Sequence, residues 1–384
     1  MQFLLLTTAF VTVAVAHSLP AKLCQDIELS VTVTSSNFVF GAPKFNNNFD
    51  VTDFVTDLAS REPPKTFSPL LPDKVNQTGT YNIASTFCTP QDIHAANRST
   101  VILATHGLNF DRTYIRIQPE KYSFVDYAIR QGYSVFYYDR LGVGSSSIVS
   151  GYINQLPIQT EIAKQLAQII KSGRYPGSIG KPKSLVLVGH SFGSAISATA
   201  AASDPNIADG LVLTGFSYNG SNSNYFILAA QLQMASSQNP AKWNQLDSTS
   251  MPMSMGEFFP TPKRSSANGL ERFFKAPDYD VAVVEYADQN KAPFAIGELL
   301  TVTATDLLPT AFKGVAMVIA GQYDFIECQS QCDDVIEHPA TEIFANAAAF
   351  KAVSYPGSGH GLNFALNATG FYEEIFSYLG ENGL

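Results

Sequence analysis

Residues 184–200 read Ser-Leu-Val-Leu-Val-Gly-His-Ser-Phe-Gly-Ser-Ala-Ile-Ser-Ala-Thr-Ala. The run before Gly189 is apolar and is typical of a strand buried on both faces of a sheet. The run after Gly193 consists mostly of small residues and suits a tightly packed helix. Ser191 therefore stands at a sharp strand-to-helix turn, where Gly189 and Gly193 lie too close to neighbouring backbone to carry side chains. This pattern predicts that Ser191 is a nucleophile.

A serine nucleophile needs a base and a carboxylate that orients the base, and with this kind of turn they follow in the order Ser, acid, His. The apolar run 314–320 leads into Gly-Gln-Tyr-Asp at 321–324. A carboxylate just past the carboxyl end of a parallel strand lies in the crevice where open α/β sheets bind ligands. We therefore predict that Asp324 is the acid. Glu327 and Asp333 are alternatives that lie farther from the strand end.

The base is sought among the six histidines of the chain. His360 follows a strand-like run, 352–355, and lies in the glycine-rich loop Pro-Gly-Ser-Gly-His-Gly, where its imidazole can reach between a serine and a carboxylate. The other five have simpler interpretations: His190 packs within the turn, His106 braces a loop, and three lie at the surface, namely His17, His94 and His338. His360 is the predicted base.

Cleavage at a carbonyl also needs two backbone N–H groups that bind the developing oxyanion. One is expected from Phe192, the residue after the nucleophile. The other is expected from the turn that follows the strand-like run 100–104, which reads Thr-His-Gly-Leu-Asn at 105–109. Leu108 is the preferred second donor, and Asn109 is the alternative.

These motifs together resemble the α/β-hydrolase-fold serine hydrolases, most of all the secreted, fungal-type members that are esterase- or lipase-like. The resemblance covers roughly residues 79–216 and 312–382 and includes Asp139-Arg140-Leu141-Gly142-Val143-Gly144-Ser145, which is similar to a loop common after the fourth strand of that fold. It implies a mostly parallel central sheet flanked by helices. Strand-like runs that alternate with helical stretches along the chain favour the same fold class.

The resemblance also implies a division of the chain. Residues 17–216 are expected to form the first part of the core, with an N-terminal extension at 17–78 beyond the minimal fold. Residues 312–384 form the second part. The segment 217–311 falls between core strands 6 and 7, where this fold accepts a lid, and it contains Met251, Met253 and Met255. Methionine adapts to irregular apolar surfaces, so these side chains either line a substrate pocket or pack the segment onto the core.

Residues 1–16 form an apolar stretch that ends in Ala-Val-Ala and has the length of a signal peptide. Four Asn-X-Ser/Thr sequons begin at Asn76, Asn97, Asn219 and Asn367, each without proline at the middle position. Both features predict a secreted, extracellular glycoprotein. Apart from this leader, the sequence contains no apolar run long enough to anchor the chain in a membrane.

The chain has four cysteines, an even number that suits an oxidising compartment. In this fold the opening strands pair antiparallel, which would bring Cys24, before one strand, beside Cys88, at the end of the next. Cys328 and Cys332 would then close a short loop next to Asp324. Four cysteines allow three connectivities, and this one is the preferred pairing.

The net charge of −9 argues against a nucleic acid or an anionic membrane surface as a partner. The sequence shows no Cys/His metal spacing, no phosphate-binding loop and no dinucleotide fingerprint, so we expect neither a metal nor a cofactor. Epoxide and haloalkane hydrolysis are disfavoured because they need a carboxylate where Ser191 stands.

The resemblance implies a serine hydrolase but does not specify its substrate. We predict cleavage of a carboxylic ester or lactone of a small, largely apolar molecule. Two alternatives remain open. The same triad can act on amides or thioesters, or in a non-hydrolytic step of natural-product metabolism. The chain can also be a binding protein on a hydrolase scaffold, which reaction with a fluorophosphonate would exclude.

The methionines of segment 217–311 give a first testable prediction. Replacement of Met253 and Met255 by glutamine should reduce the rate with bulky apolar esters about ten- to a hundredfold more than the rate with acetate esters, because burial of such a side chain contributes roughly 1.5–3 kcal/mol. Rates measured with p-nitrophenyl esters of increasing acyl length test it. Equal losses for all esters would show that the segment only stabilises the fold.

Overall fold

A computed structural model describes residues 22–41, 44–91, 99–176, 179–219, 226–228, 230–251, 273–275 and 277–384. Its strands are β1 (Lys22–Phe40), β2 (Leu70–Pro90), β3 (Thr100–Thr105), β4 (Ser134–Tyr138), β5 (Ser184–His190), β6 (Gly210–Thr214), β7 (Ser250–Met251), β8 (Phe294–Ala295), β9 (Val315–Gly321) and β10 (Ala349–Tyr355).

The helices within the same residues are α1 (Asn48–Ala59), α2 (Phe124–Arg130), α3 (Leu156–Ser172), α4 (Phe192–Ser203), α5 (Ala235–Gln238), α6 (Pro240–Trp243), α7 (Val281–Gln289), α8 (Ile296–Val302), α9 (Phe325–Cys328), α10 (Glu337–Ile343) and α11 (Ala368–Glu381). Short 3-10 turns occur at Arg112–Ile115, Glu120–Tyr122 and Leu362–Phe364.

The main sheet has eight strands within the described residues, in the order β1-β2-β4-β3-β5-β6-β9-β10. β1 and β2 pair antiparallel, as do β2 and β4. The other neighbours in this order pair parallel, so β4, β3, β5, β6, β9 and β10 all run in the same direction. All carboxyl ends of the parallel strands therefore meet at one edge of the sheet. The loops after β3, β5, β9 and β10 all leave from that edge, so residues far apart in sequence converge there.

The parallel strands inside the sheet, β3 to β6 and β9, are buried on both faces because helices cover both, whereas the edge strand β10 is partly buried. Side chains alternate along β5: Leu185 and Leu187 belong to the hydrophobic cluster of α3 and α4, and Val186 and Val188 to that of α2 and α11. This two-sided burial explains why the strand sequence is a continuous apolar run. The predicted fold class, a mostly parallel sheet flanked by helices, is confirmed.

The N-terminal extension is built into the sheet. β1 and β2 form a long antiparallel pair that runs from Lys22 opposite Pro90 to Phe40 opposite Leu70, whereas β2 pairs with β4 only over residues 85–88. The rest of the hairpin therefore projects beyond the core sheet. Helix α1, between the two strands, buries one apolar face formed by Val51, Phe54 and Val55.

The segment between β6 and β9, the sixth and seventh strands of the main sheet, contains α5 to α8 and the small β7–β8 sheet. Met251 belongs to β7 and is fully buried. Met253 and Met255, which are predicted either to line a substrate pocket or to pack the segment onto the core, lie outside the described residues.

The structure joins Cys24 to Cys88 and Cys328 to Cys332. Cys24 lies directly opposite Cys88 in the β1–β2 register. Both bridges have the connectivity that the sequence favoured, and the first follows from the antiparallel pairing of the opening strands.

The two bridges should differ in their contribution to stability. In the chain-entropy account, a bridge over a separation of 64 residues contributes about 4 kcal/mol, and one over a separation of 4 contributes about 2 kcal/mol. The pair of substitutions Cys24→Ala and Cys88→Ala should therefore lower the free energy of unfolding more than Cys328→Ala with Cys332→Ala, as measured by urea denaturation. Equal losses, or free thiols in the unreduced wild-type protein, would contradict this prediction.

Candidate active site

Ser191 occupies the single residue between β5 and α4 and has backbone angles φ 53° and ψ −119°. Few residues other than glycine adopt such a φ, and the turn holds Ser191 there because it is packed from both sides. A side chain on Gly189 would lie 2.4 Å from the backbone of Gly193, and one on Gly193 would lie 2.1 Å from the carbonyl oxygen of Thr105. The two glycines therefore allow the close packing that strains Ser191.

Asp324 follows β9 and caps the short helix α9. Its Oδ1 accepts a hydrogen bond from the backbone N–H of Glu327 at 3.0 Å, and its Oδ2 lies 2.7 Å from Nδ1 of His360. Asp324 is 0% exposed and His360 is 1% exposed. The structure thus brings together the predicted acid and the predicted base, which are 36 residues apart in sequence.

The two alternative acids point to other partners. Oε2 of Glu327 accepts hydrogen bonds from both the backbone N–H and the hydroxyl of Ser217, at 2.7 and 2.9 Å. Asp333 is exposed and accepts a hydrogen bond from the Ser354 hydroxyl at 2.7 Å. These contacts favour Asp324 as the partner of the histidine.

The short disulfide Cys328–Cys332 closes around this acid turn. The carbonyl of Asp324 accepts the N–H groups of Cys328 and Ser330, both at 3.1 Å, and the N–H of Cys332 donates to the carbonyl of Gln322 at 3.1 Å. The backbone of the turn that carries Asp324 is consequently fixed by hydrogen bonds and by a covalent bridge.

His360 lies in the loop after β10 and is held in place by Phe273, from the segment between β6 and β9. The N–H of Gly361 donates to the carbonyl of Phe273 at 2.7 Å, and the Phe273 ring packs against the imidazole with centroids 5.2 Å apart. Burial lowers the pKa of His360, but the charge of Asp324 and its hydrogen bond outweigh burial, so the pKa lies above the ordinary 6.5. With Nδ1 donating to Asp324, Nε2 is the nitrogen that can accept a proton.

The remaining histidines have other surroundings. Burial keeps the pKa of His190 well below its ordinary value; its Nδ1 lies 3.0 Å from the Thr214 hydroxyl, and its ring stacks on Tyr114. His338 is exposed on α10. His17 and His94 lie outside the described residues.

His106 braces the turn after β3. Its Nε2 accepts the backbone N–H of Arg140 at 3.2 Å, so the proton is on Nδ1, which donates to the carbonyl of Gly107 at 2.9 Å. Burial, followed by the charge of Arg140, keeps the pKa of His106 well below its ordinary value. It is therefore a neutral, structural residue.

The same turn lies next to the serine. A methyl group on Gly107 would come within 3.0 Å of Ser191 Cβ. Leu108 and Phe192 line the same cavity as Ser191. Asn109 is fully buried, and its carbonyl accepts the N–H of Ala292 at 2.9 Å. The placement favours Leu108 over Asn109, together with Phe192, whose N–H is in the first turn of α4 and needs no intrahelical acceptor.

The cavity above Ser191 has a volume of about 880 Å³. Part of its wall is apolar and comes from α1, the start of β2 and the end of the segment between β6 and β9: Leu58, Leu70, Leu299, Leu300, Val302, Leu307 and Leu308. Sequence reasoning missed all of these. Leu58 and Leu70 belong to the N-terminal extension, and no local pattern there indicates which surface of the core the extension contacts.

Polar groups lie at two places on the same wall. One set follows β6 and continues on α9, and it consists of Ser217, Tyr218, Asn219 and Glu327. The other includes Asp306, in the loop after α8. Burial, with the negative charge of Asp324 next, raises the pKa of Glu327 to about 8, so this carboxyl is neutral at neutral pH. Within the described residues, no group of His, Cys, Asp and Glu side chains is arranged to hold a metal ion.

Comparison with known proteins places this geometry in a family. The Alpha/beta hydrolase family model matches residues 101–373. A search of curated proteins finds no match to the chain.

Solved structures share the fold at low sequence identity. A carboxyl esterase from Bacillus coagulans, determined in complex with glycerol, is 16% identical with a TM-score of 0.52, covering 78% of this chain and 94% of that chain. An alpha/beta hydrolase enzyme from a Medee basin deep-sea metagenome library is 14% identical with a TM-score of 0.51, covering 79% and 96%. A bromoperoxidase from Bacillus anthracis is 18% identical with a TM-score of 0.50, covering 79% and 96%.

At these identities the solved structures show a common fold and not a common reaction. The family match spans most of the chain, and it includes the turn after β3, Ser191, Asp324 and His360. The protein is a member of the alpha/beta hydrolase family.

Proposed function

We propose that the protein is a serine hydrolase that cleaves a carboxylic ester or lactone through Ser191, Asp324 and His360. The observation that carries the proposal is the 2.7 Å contact between His360 Nδ1 and Asp324 Oδ2, fully buried at the sheet edge from which the strained Ser191 projects. Such a contact leaves Nε2 of the imidazole available to a serine hydroxyl.

The reaction follows from these roles. Ser191 Oγ attacks the ester carbonyl while its proton passes to Nε2 of His360, and Asp324 stabilises the resulting imidazolium. The oxyanion accepts hydrogen bonds from the N–H groups of Leu108 and Phe192. His360 then protonates the leaving alcohol, which departs and leaves an acyl group on Ser191. Water attacks this acyl-enzyme and loses its proton to His360, which passes it to Ser191 Oγ as the bond to the acyl group breaks and the acid is released.

The cavity supports a substrate with a largely apolar acyl or ring group. Its volume of about 880 Å³ lies in the range of sites for small organic ligands. Leu58 and Leu70 contribute to the wall from the N-terminal part, and Leu299 and Leu300 from the segment between β6 and β9. On this proposal, residues 217–311 act as a lid that shapes the pocket.

We further propose that the protein is secreted. Both disulfides suit an oxidising compartment. Of the sequon asparagines, Asn76 and Asn367 are exposed, Asn219 lines the cavity, and Asn97 and the leader 1–16 lie outside the described residues. Within the described part of the chain, no helix has the length and apolar character needed to cross a membrane.

The proposal predicts the effect of removing the nucleophile. Ser191→Ala should reduce ester hydrolysis by a factor on the order of 10⁴ or more and abolish covalent labelling by a fluorophosphonate, since only the reacting hydroxyl is deleted. Ser203→Ala, at the other end of α4, is the matched control and should keep both properties. Circular dichroism should show the same fold in all three proteins.

A panel of p-nitrophenyl esters, lactones, thioesters and peptide amides, tested with the wild-type protein, identifies the bond that is cleaved. Labelling of Ser191 without turnover of any ester or lactone would replace the proposal by another reaction of the same triad. No labelling at all would indicate a binding protein on a hydrolase scaffold.

The pKa shifts predict the pH dependence of kcat/KM. His360 must be neutral to accept the serine proton, so activity should rise with pH through a midpoint above 6.5. The charge of Asp324 is the main influence that raises the His360 pKa. Glu327→Gln should leave the midpoint in place, because the Glu327 carboxyl is already neutral where His360 titrates, and Glu337→Gln on the exposed side of α10 should do the same. A midpoint that moves to lower pH in Glu327→Gln alone would show an ionised Glu327 beside His360 and would contradict this prediction.

A further inference from the structure

Arg140 and Glu298 form an ion pair in the protein interior. Arg140 follows β4, Glu298 lies on α8 in the segment between β6 and β9, and both side chains are 0% exposed. Nη1 of Arg140 donates to Oε1 of Glu298. The same oxygen accepts Nε2–H of Gln159 at 2.8 Å, and Oε2 accepts the N–H of Ala295 at 3.0 Å. Both oxygens of the carboxylate are therefore satisfied by hydrogen bonds, as a buried charge requires.

The other contacts of Arg140 lead to the oxyanion turn. Its Nη2 donates to the carbonyl of Gly107 at 3.2 Å, and its backbone N–H donates to Nε2 of His106 at 3.2 Å. The guanidinium also lies over the ring of Phe192, with Cζ 4.9 Å from the ring centroid. Arg140 thus touches residues on both sides of the proposed oxyanion site.

The carbonyl of Gly107 and the N–H of Leu108 belong to the same peptide group, so the direction of one sets the direction of the other. In a trans peptide, the C=O and the N–H point in opposite directions. Two donors, Nη2 of Arg140 and Nδ1 of His106, fix the direction of the Gly107 carbonyl. They consequently fix the direction of the Leu108 N–H, the donor assigned to the oxyanion.

We infer that the buried Arg140–Glu298 pair is a positioning device that holds the Gly107–Leu108 peptide in its oxyanion-binding orientation. The inference rests on the proposed function and deepens it: Glu298, in the segment predicted to be a lid, acts on the reaction through Arg140. It contacts neither the substrate nor the reacting atoms.

Two further observations connect this segment to the same turn. The N–H of Ala292 donates to the carbonyl of Asn109 at 2.9 Å, so the turn is held at its far end as well. The two residues that follow Glu298 on α8, Leu299 and Leu300, line the substrate cavity. The segment that shapes the pocket is therefore joined to the peptide that binds the oxyanion.

The test uses Glu298→Gln in the full chain, with Glu374→Gln as the control. Glutamine keeps the size of Glu298 but removes the countercharge of Arg140 and leaves one acceptor oxygen where the carboxylate has two. Glu374 pairs with Lys351 at 2.9 Å between α11 and β10, and both side chains are partly exposed. Labelling by a fluorophosphonate counts the reactive Ser191 sites, so that rates are expressed per competent molecule.

In Glu298→Gln, kcat per labelled site should fall about ten- to a thousandfold while KM for a p-nitrophenyl acetate substrate changes less than threefold, since weakening one oxyanion donor costs up to about 10²–10³ in rate. Affinity for a trifluoromethyl ketone, which forms a tetrahedral adduct on serine, should fall in parallel with kcat/KM. Binding of the product alcohol should not change, and Glu374→Gln should match the wild type.

Arg140→Lys provides a second variant if Glu298→Gln does not fold. Lysine preserves the charge opposite Glu298 but lacks the forked guanidinium that reaches both Glu298 and Gly107, and it should show the same loss of kcat and of ketone affinity.

Wild-type kcat and ketone affinity per labelled site in either variant would overturn the inference while leaving the proposed function in place. A loss confined to the number of labelled sites would also overturn it, because that result indicates a role in folding alone. If the wild-type protein neither reacts with the fluorophosphonate nor hydrolyses esters, the proposed function fails and the inference fails with it.

Discussion

The close backbone packing beneath Ser191 is the constraint on which the rest of the site depends. Gly193 lies against the carbonyl of Thr105, at the end of β3, and Gly189 lies against the first turn of α4. This packing forces Ser191 into a left-handed backbone conformation and, in the same contact, brings the turn after β3 beside the serine. One steric arrangement therefore sets both the exposure of the proposed nucleophile and its distance to the turn proposed to bind the oxyanion. A side chain at either glycine would separate the two.

The polar groups around this turn divide into two buried networks with different physical effects. In the first, Asp324 and His360 form a buried 2.7 Å hydrogen bond. Burial lowers the pKa of the imidazole, but the charge of Asp324 and this hydrogen bond outweigh burial and raise it. In the second, Arg140 and Glu298 remain paired where no water can solvate either charge. Removing one member of such a pair leaves an uncompensated buried charge, which is strongly destabilising. The proposed mechanism uses the first network to move a proton and the second to hold a peptide still.

The N-terminal part of the chain and the segment between β6 and β9 both contribute side chains to the cavity wall. The N-terminal strands continue the central sheet, and Leu58 and Leu70 reach the cavity wall. From the other side, α8 contributes Leu299 and Leu300 to the same wall and Glu298 to the core. An α/β hydrolase core of parallel strands offers only its carboxyl edge to a ligand. The volume above that edge is enclosed by segments that the minimal fold lacks, which is why the shared fold does not specify a substrate.

The elements around Ser191, the position of Asp324 and the Cys24–Cys88 pair are predictable from the sequence, because they depend on local chain geometry and on strand order. The apolar run, the two glycines and the small residues around Ser191 predict the strand, turn and helix because each requirement acts within a few residues. The carboxylate after β9 was found in the same way, and the pairing of Cys24 with Cys88 followed from antiparallel register. The partner of Arg140 is visible only in the folded chain, because Glu298 is 158 residues away and no periodicity or spacing relates the two. The residues of the cavity wall are likewise known only from the fold, since a sequence can show that an apolar face is buried but not which surface that face contacts.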